Sequence, residues 1–168
     1  MADVLHGLVP DGGPDGGPDA APAAASASAT AAAADPASAV PLCASGDLVE
    51  KGLARGFEVL HFRAPARGFA LRFEGRVVAY LNRCQHVPVE MDWNPGDFLD
   101  ADKSFILCAT HGAAYEPLTG RCAGGPCGRG RLTTIETVER DGQVYWYPSR
   151  DTKPAAAGVD PAVVTRPS

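Results

Sequence analysis

The chain has 168 residues and a net charge of −5, with 15 Lys and Arg against 20 Asp and Glu. That charge is unevenly placed: residues 1–41 hold five aspartates and no basic residue, whereas 42–150 hold thirteen residues of each sign. The stretch rich enough to fold is therefore formally neutral, which argues against a nucleic-acid footprint, and no run of about 18 apolar residues offers a membrane span.

Residues 1–41 read as a disordered tail. The near-repeat Asp11-Gly-Gly-Pro-Asp15-Gly-Gly-Pro leads into a tract with thirteen alanines between Ala20 and Ala39, and neither offers bulk to bury. The first basic residue is Lys51, so the positive n-region of a secretory signal and the arginine pair of a twin-arginine signal are both missing. The cytoplasm is the expected compartment. There, the five cysteines are read as thiols or metal ligands rather than disulfides. Residues 151–168 match the first tail in composition and are expected to be disordered too, which leaves 42–150 as the domain.

Within 42–150 the pattern is that of strands. Helical periodicity is weak and confined to Gly46–Ala54. Phe57-Glu-Val-Leu-His-Phe62 is predicted as a strand. Phe69–Phe73 alternates, and Glu74-Gly75 turns it into Arg76-Val-Val-Ala-Tyr-Leu81, a hairpin. Phe105–Cys108 is a short apolar strand. Leu132–Val138 and Val144–Tyr147 flank Asp141-Gly142, a second hairpin signal. The expectation is a small all-β domain whose loops carry the polar, Cys- and His-bearing residues.

Two of those loops hold the chemistry. Cys84-Gln85-His86 and Cys108-Ala109-Thr110-His111 each follow a predicted strand, and each pairs one thiolate with one imidazole. Only four histidines exist in the chain, and two fall here. The same donor types serve structural Cys₂His₂ zinc sites, although those usually open with two cysteines two to four residues apart.

The pattern C-x-H … C-x-x-H resembles the Rieske [2Fe–2S] family, in which two Cys hold one iron and two His the other. The resemblance continues in Gly112, in Tyr115 where members keep Tyr or Phe, in Leu118-Thr119-Gly120, and in Gly124-Gly125-Pro126, similar to the proline loop that covers the cluster. It implies a small antiparallel β-sandwich or barrel with a cluster-binding loop subdomain. It also implies a [2Fe–2S] cofactor with Cys84 and Cys108 on the buried iron and His86 and His111 on the outer one. Two thiolates bring the oxidised cluster to neutrality where four would leave a dianion, so mixed ligation raises the potential.

The sequence departs from the family pattern at several points. Twenty-one residues separate His86 from Cys108, more than members commonly have. High-potential members carry a disulfide between the ligand loops; Val89 and Thr110 occupy those positions. Ala113 stands where those members place a serine hydroxyl near sulfide. In these respects the chain resembles the ferredoxin and oxygenase branch, not the respiratory one. An oxygenase catalytic subunit needs a second iron held by two His and a carboxylate, and only His6 and His61 remain.

The expected function is a soluble one-electron carrier, not catalytic alone, working with a reductase and/or an oxygenase-type acceptor and with neither nucleic acid nor membrane. Rival readings are a redox-sensing module and a non-redox zinc module. Cys122 and Cys127, flanking the proline loop, are read as unpaired thiols, as is Cys43 at the domain edge; His61 is read as a packed or surface residue. The loop 87–107, with Glu90, Asp92, Asp97, Asp100 and Asp102 against Lys103, is a solvated face or a surface for a basic partner. Trp93 packs over that loop or meets a partner.

Overall fold

The computed structural model describes residues 38–155. Among the described residues eleven strands are present: β1 (Val40–Ala44), β2 (Arg55–His61), β3 (Ala64–Phe73), β4 (Arg76–Leu81), β5 (Ile106–Leu107), β6 (Ala114–Tyr115), β7 (Cys122–Gly124), β8 (Thr134–Ile135), β9 (Thr137–Arg140), β10 (Gln143–Trp146) and β11 (Thr152–Pro154). They form three antiparallel sheets, ordered β1-β10-β9, β11-β2-β3-β4-β8 and β5-β6-β7. The helical structure at Ser45–Asp47 and Gly125–Cys127 consists of short 3-10 turns. The all-β expectation holds, and the weak periodicity of Gly46–Ala54 yields no α-helix.

The centre of the five-stranded sheet is buried on both faces, because alternate residues of β3 and β4 enter two different cores. Phe69, Leu71, Phe73 and Tyr80 join Met91, Phe98, Ile106, Tyr115 and Leu132. Ala70, Ala79 and Leu81 join Cys43, Leu48, Val59, Val144 and Trp146. Period-two alternation sends successive side chains to opposite faces, so a strand with cover on both sides reads as the unbroken buried run Gly68–Leu71. The first core lies under the two ligand loops; the second ties the β1-β10-β9 sheet to the centre.

Both turn predictions hold. Glu74 and Gly75 have φ of 49° and 71°, and Asp141 and Gly142 have 51° and 72°, the left-handed pair that a two-residue hairpin requires. A third hairpin was not predicted. Phe62 and Arg63 adopt φ of 49° and 66° and turn β2 into β3, so the strand expected to include Phe62 ends at His61. The domain also overruns its expected limits of 42 and 150. β1 starts at Val40, and Thr152–Pro154 adds an edge strand registered on Val59–His61 of β2. The rest of the two expected tails, 1–37 and 156–168, lies outside the described residues.

Arg72 is the polar anchor of the second core. Its Nε donates to the Leu48 carbonyl at 2.9 Å and its Nη2 to the Ser45 carbonyl at 3.1 Å, and the guanidinium pairs with both Glu139 oxygens, the closer at 2.8 Å. The hydrogen bond from Arg72 holds the Glu139 carboxyl below its ordinary value. Arg72→Ala is expected to cost about 2 kcal/mol in urea denaturation, mainly through the two carbonyl bonds, since the Glu139 side chain is 34% exposed and solvent screens the pair. A carboxyl depressed in the folded state stabilises above its unfolded value and loses that contribution as pH falls through the folded one. The difference between wild type and variant should therefore narrow as pH drops below 4.5, the ordinary glutamate value.

Candidate metal centre

The first ligand loop leaves β4 at Leu81 and is closed at once by backbone bonds: Cys84 N–H donates to the Val89 carbonyl at 2.9 Å and Val89 N–H to the Val87 carbonyl at 2.7 Å. The second loop joins β5 to β6, with Cys108 N–H on the Ala113 carbonyl at 2.8 Å and Gly112 N–H on the Cys108 carbonyl at 2.9 Å. Gly112 takes φ of 71°, a left-handed conformation that glycine adopts without penalty. A strand thus delivers the chain into each loop, and a tight turn then reverses it.

The folds of the two loops bring like donors together. Cys84 and Cys108 are 4% and 1% exposed and lie in the same core cluster. His86 and His111 are exposed, with ring centroids 5.0 Å apart and planes at 83°. The result is a buried thiol pair and an outer imidazole pair. Among the described residues no group of three or more His, Cys, Asp or Glu side chains is placed to hold one metal ion.

Tyr115 reaches under the thiols. Its hydroxyl lies 3.3 Å from Cys84 Sγ, and the Gln85 N–H donates to the phenolic oxygen at 3.0 Å. Burial would push the Cys84 thiol up; the Tyr115 hydroxyl and the backbone N–H groups of His86 and Val87 outweigh that and hold it below the usual thiol value. Cys108 goes the other way, pushed up by burial and by its neighbour Cys84. Cys84 is therefore the more readily ionised of the pair, and ligation requires thiolates. Sequence reasoning marked Tyr115 by position alone; its bond to sulfur depends on β6 folding back beneath the first loop.

The third loop lies over the second. A Cβ on Gly125 would stand 2.5 Å from the Gly112 carbonyl oxygen, so the two backbones meet with no room for a side chain. Here one expectation is corrected. Cys122 and Cys127, read as unpaired thiols, form a disulfide with a Cα–Cα separation of 5.8 Å. The 3-10 turn Gly125–Cys127 folds the chain back so that Cys127 meets Cys122 at the start of β7, within the range a disulfide spans.

The long loop 87–107 spends most of its acids internally. Asp92 accepts from the Asn82 side chain at 2.6 Å and from Gly96 N–H at 3.1 Å, Asp100 accepts from the N–H groups of Ser104 and Phe105, and Glu90 lies 3.5 Å from Arg67. Of these acids only Glu90 has an ion pair among the described residues, and Asp97 and Asp102 are exposed, so the loop keeps a negative face toward solvent. Trp93, 80% exposed, does not pack over the loop. His61 bonds Thr152 on the edge strand at 3.0 Å, and Cys43 is a buried thiol of the second core.

The sequence profile of the Rieske [2Fe–2S] domain matches residues 38–148. The chain belongs to the Rieske [2Fe–2S] family. Members of this family bind a [2Fe–2S] cluster, and the donors present suit one: paired buried thiols beside paired exposed imidazoles, with a hydroxyl on one sulfur. Solved structures share the fold. The ferredoxin of carbazole 1,9a-dioxygenase from Nocardioides aromaticivorans IC177 is 18% identical with a TM-score of 0.52, over 67% of this chain and 99% of that one. A complex of reduced oxygenase and oxidised ferredoxin in carbazole 1,9a-dioxygenase gives 24% identity and a TM-score of 0.51, over 66% and 93%. The reduced complex between oxygenase and ferredoxin of that system gives 22% and 0.54, over 65% of this chain but only 28% of that one. No curated protein matches the sequence. No helix among the described residues is long and apolar enough to cross a membrane.

Proposed function

We propose that this Rieske domain is a one-electron carrier, with Cys84 and Cys108 holding the inner iron of the cluster and His86 and His111 the outer one. The observation that carries the assignment is the segregation of donors into two pairs. A structural zinc site needs four donors converging on one ion; two pairs, one buried and one exposed, suit two irons instead. When bound, such a cluster supplies a reversible one-electron couple at a potential above that of all-cysteine clusters. The chain's own part is to bury the thiols away from solvent and to leave the imidazole edges open. Val87 and Val89, each 37% exposed beside His86, add apolar surface there for a partner. Similarity to a ferredoxin and to ferredoxin–oxygenase complexes supports an oxygenase-type acceptor; the donor proposed beside it is a reductase.

The test is iron, sulfide and zinc analysis of the purified full chain with its visible spectrum, followed by reduction by a ferredoxin reductase and reoxidation by a Rieske oxygenase. Iron and sulfide in equal amounts, with repeated turnover of one electron, are expected. A colourless zinc protein overturns the cofactor assignment. A coloured protein that exchanges electrons with neither partner supports a sensor instead.

Tyr115→Phe separates tuning from assembly. The Gln85 N–H occupies the phenolic oxygen, which leaves the O–H to donate to Cys84 Sγ. Such a bond favours the more electron-rich state, so its loss should lower the midpoint potential without loss of colour. A net contribution on the order of 1 kcal/mol corresponds to roughly 40 mV at about 59 mV per tenfold change, readable by voltammetry of both proteins.

A further inference from the structure

The Cys122–Cys127 bond sits at the edge of an open cleft of about 480 Å³ lined by Arg121, Cys122, Gly128, Arg129, Gly130 and Arg131. The two sulfurs are unequal: Cys122 is half-buried and faces the cleft, whereas Cys127 is 6% exposed and packs into the first core. The three arginines are exposed or lie at the rim, and among the described residues none has a carboxylate within 4 Å, the ion pairs being Arg67 with Glu58 and Glu90 and Arg72 with Glu139. Glu116, five residues before Arg121, accepts from the Thr119 hydroxyl at 2.6 Å, and Glu136, five residues after Arg131, has no ion pair with it. Arg131 Nε donates to the Thr119 carbonyl at 2.7 Å, which fixes the stem and leaves the terminal nitrogens unassigned.

One further arrangement is costly by itself. Arg121 and Arg131 oppose each other across an antiparallel bridge, and like charges directly opposite destabilise a pair. An anion seated between them removes that cost. We infer that this cleft binds a small anionic thiol, and that the Cys122–Cys127 bond exchanges with it.

The chemistry balances within the cleft. A thiolate of the incoming molecule bonds to Cys122 Sγ as the Cys122–Cys127 bond breaks, and the electron pair leaves on Cys127, which takes a proton from water. A second thiolate then attacks the ligand sulfur of this mixed disulfide and releases Cys122. The protein disulfide gains two electrons and two ligand thiols become one disulfide. Once the bond has opened and Cys127 is protonated, its thiol has acceptors at hand: Sγ lies 3.1 Å from the Gly124 carbonyl oxygen and 3.5 Å from that of Ala114. In a reducing compartment a disulfide is found chiefly where it turns over.

The experiment compares glutathione, a net anionic thiol, with cysteamine, a cationic one, at equal thiolate concentration on the full-length cluster-loaded protein. Alkylation and mass spectrometry report Cys122 and Cys127. Glutathione should open the bond on the order of tenfold faster at low salt, the lower end of electrostatic rate enhancement, and the advantage should shrink as ionic strength rises. The double variant Arg129→Gln, Arg131→Gln should lose that advantage while cysteamine reacts no more slowly. In Cys127→Ser, oxidised glutathione should place one adduct on Cys122 and none on buried Cys43. Equal rates with the two thiols in the unmodified chain, or an advantage that survives both salt and the arginine replacements, overturns the inference. So does an adduct found on Cys43 and absent from Cys122.

Discussion

Cys108→Ser should yield a colourless protein with no bound iron and a sharply lower melting temperature. Cys108 is 1% exposed and lies beside Cys84 in the core that also holds Met91, Phe98, Ile106 and Tyr115. Under the proposed ligand set, the replacement removes one of two thiolates from the inner iron. Because a preformed site rarely exists in an unfolded chain, metal binding free energy is folding free energy. The loss therefore reaches stability as well as spectrum. Cys43→Ala is the control: it removes another buried thiol, but one in the opposite core, and should keep full iron content. Iron analysis, visible absorption and a thermal scan of the three proteins decide it. A Cys108→Ser protein with native colour and melting would remove Cys108 from the site.

Rare chemistry made the ligand loops legible. Cys and His at C-x-H and C-x-x-H spacing have few uses, and residues of that type stand out in a single sequence. The hairpins at Glu74-Gly75 and Asp141-Gly142 were legible because glycine and an acidic residue suit left-handed backbone. Phe62-Arg63 adopts the same geometry with residues that do not advertise it, so the β2–β3 turn was missed. β11 was missed because Thr152-Lys-Pro is a strand only by pairing with β2, a nonlocal fact. Tyr115's bond to Cys84 depends on two segments 31 residues apart. The disulfide had its parts in view, two cysteines around Gly124-Gly125-Pro126, but the expected compartment argued against pairing them. What the sequence left open is mostly what long-range packing decides.

That dependence on packing is sharpest in the unusually long connection between the ligand loops, which Phe98 pins to the sheet. Its ring stacks on Phe69 of β3 with centroids 3.7 Å apart and planes at 9°, and it is 3% exposed. Its carbonyl accepts Leu107 N–H at 2.7 Å, so the same residue fixes where β5 begins and hence where Cys108 is delivered. Phe98→Ala should cost about 3–5 kcal/mol, the range for an aromatic removed from a packed core. Phe98→Leu, which keeps most of the volume, should cost under about 1.5 kcal/mol. Because the cavity would open in the core that holds both thiols, Phe98→Ala should also release iron to a chelator faster than wild type while Tyr115 and all four donors stay in place. Urea denaturation gives the first quantity and chelator kinetics the second. A loss below about 1 kcal/mol with unchanged iron release would mean that the connection is held by its polar bonds at Asp92 and Asp100, and that the aromatic stack merely fills space.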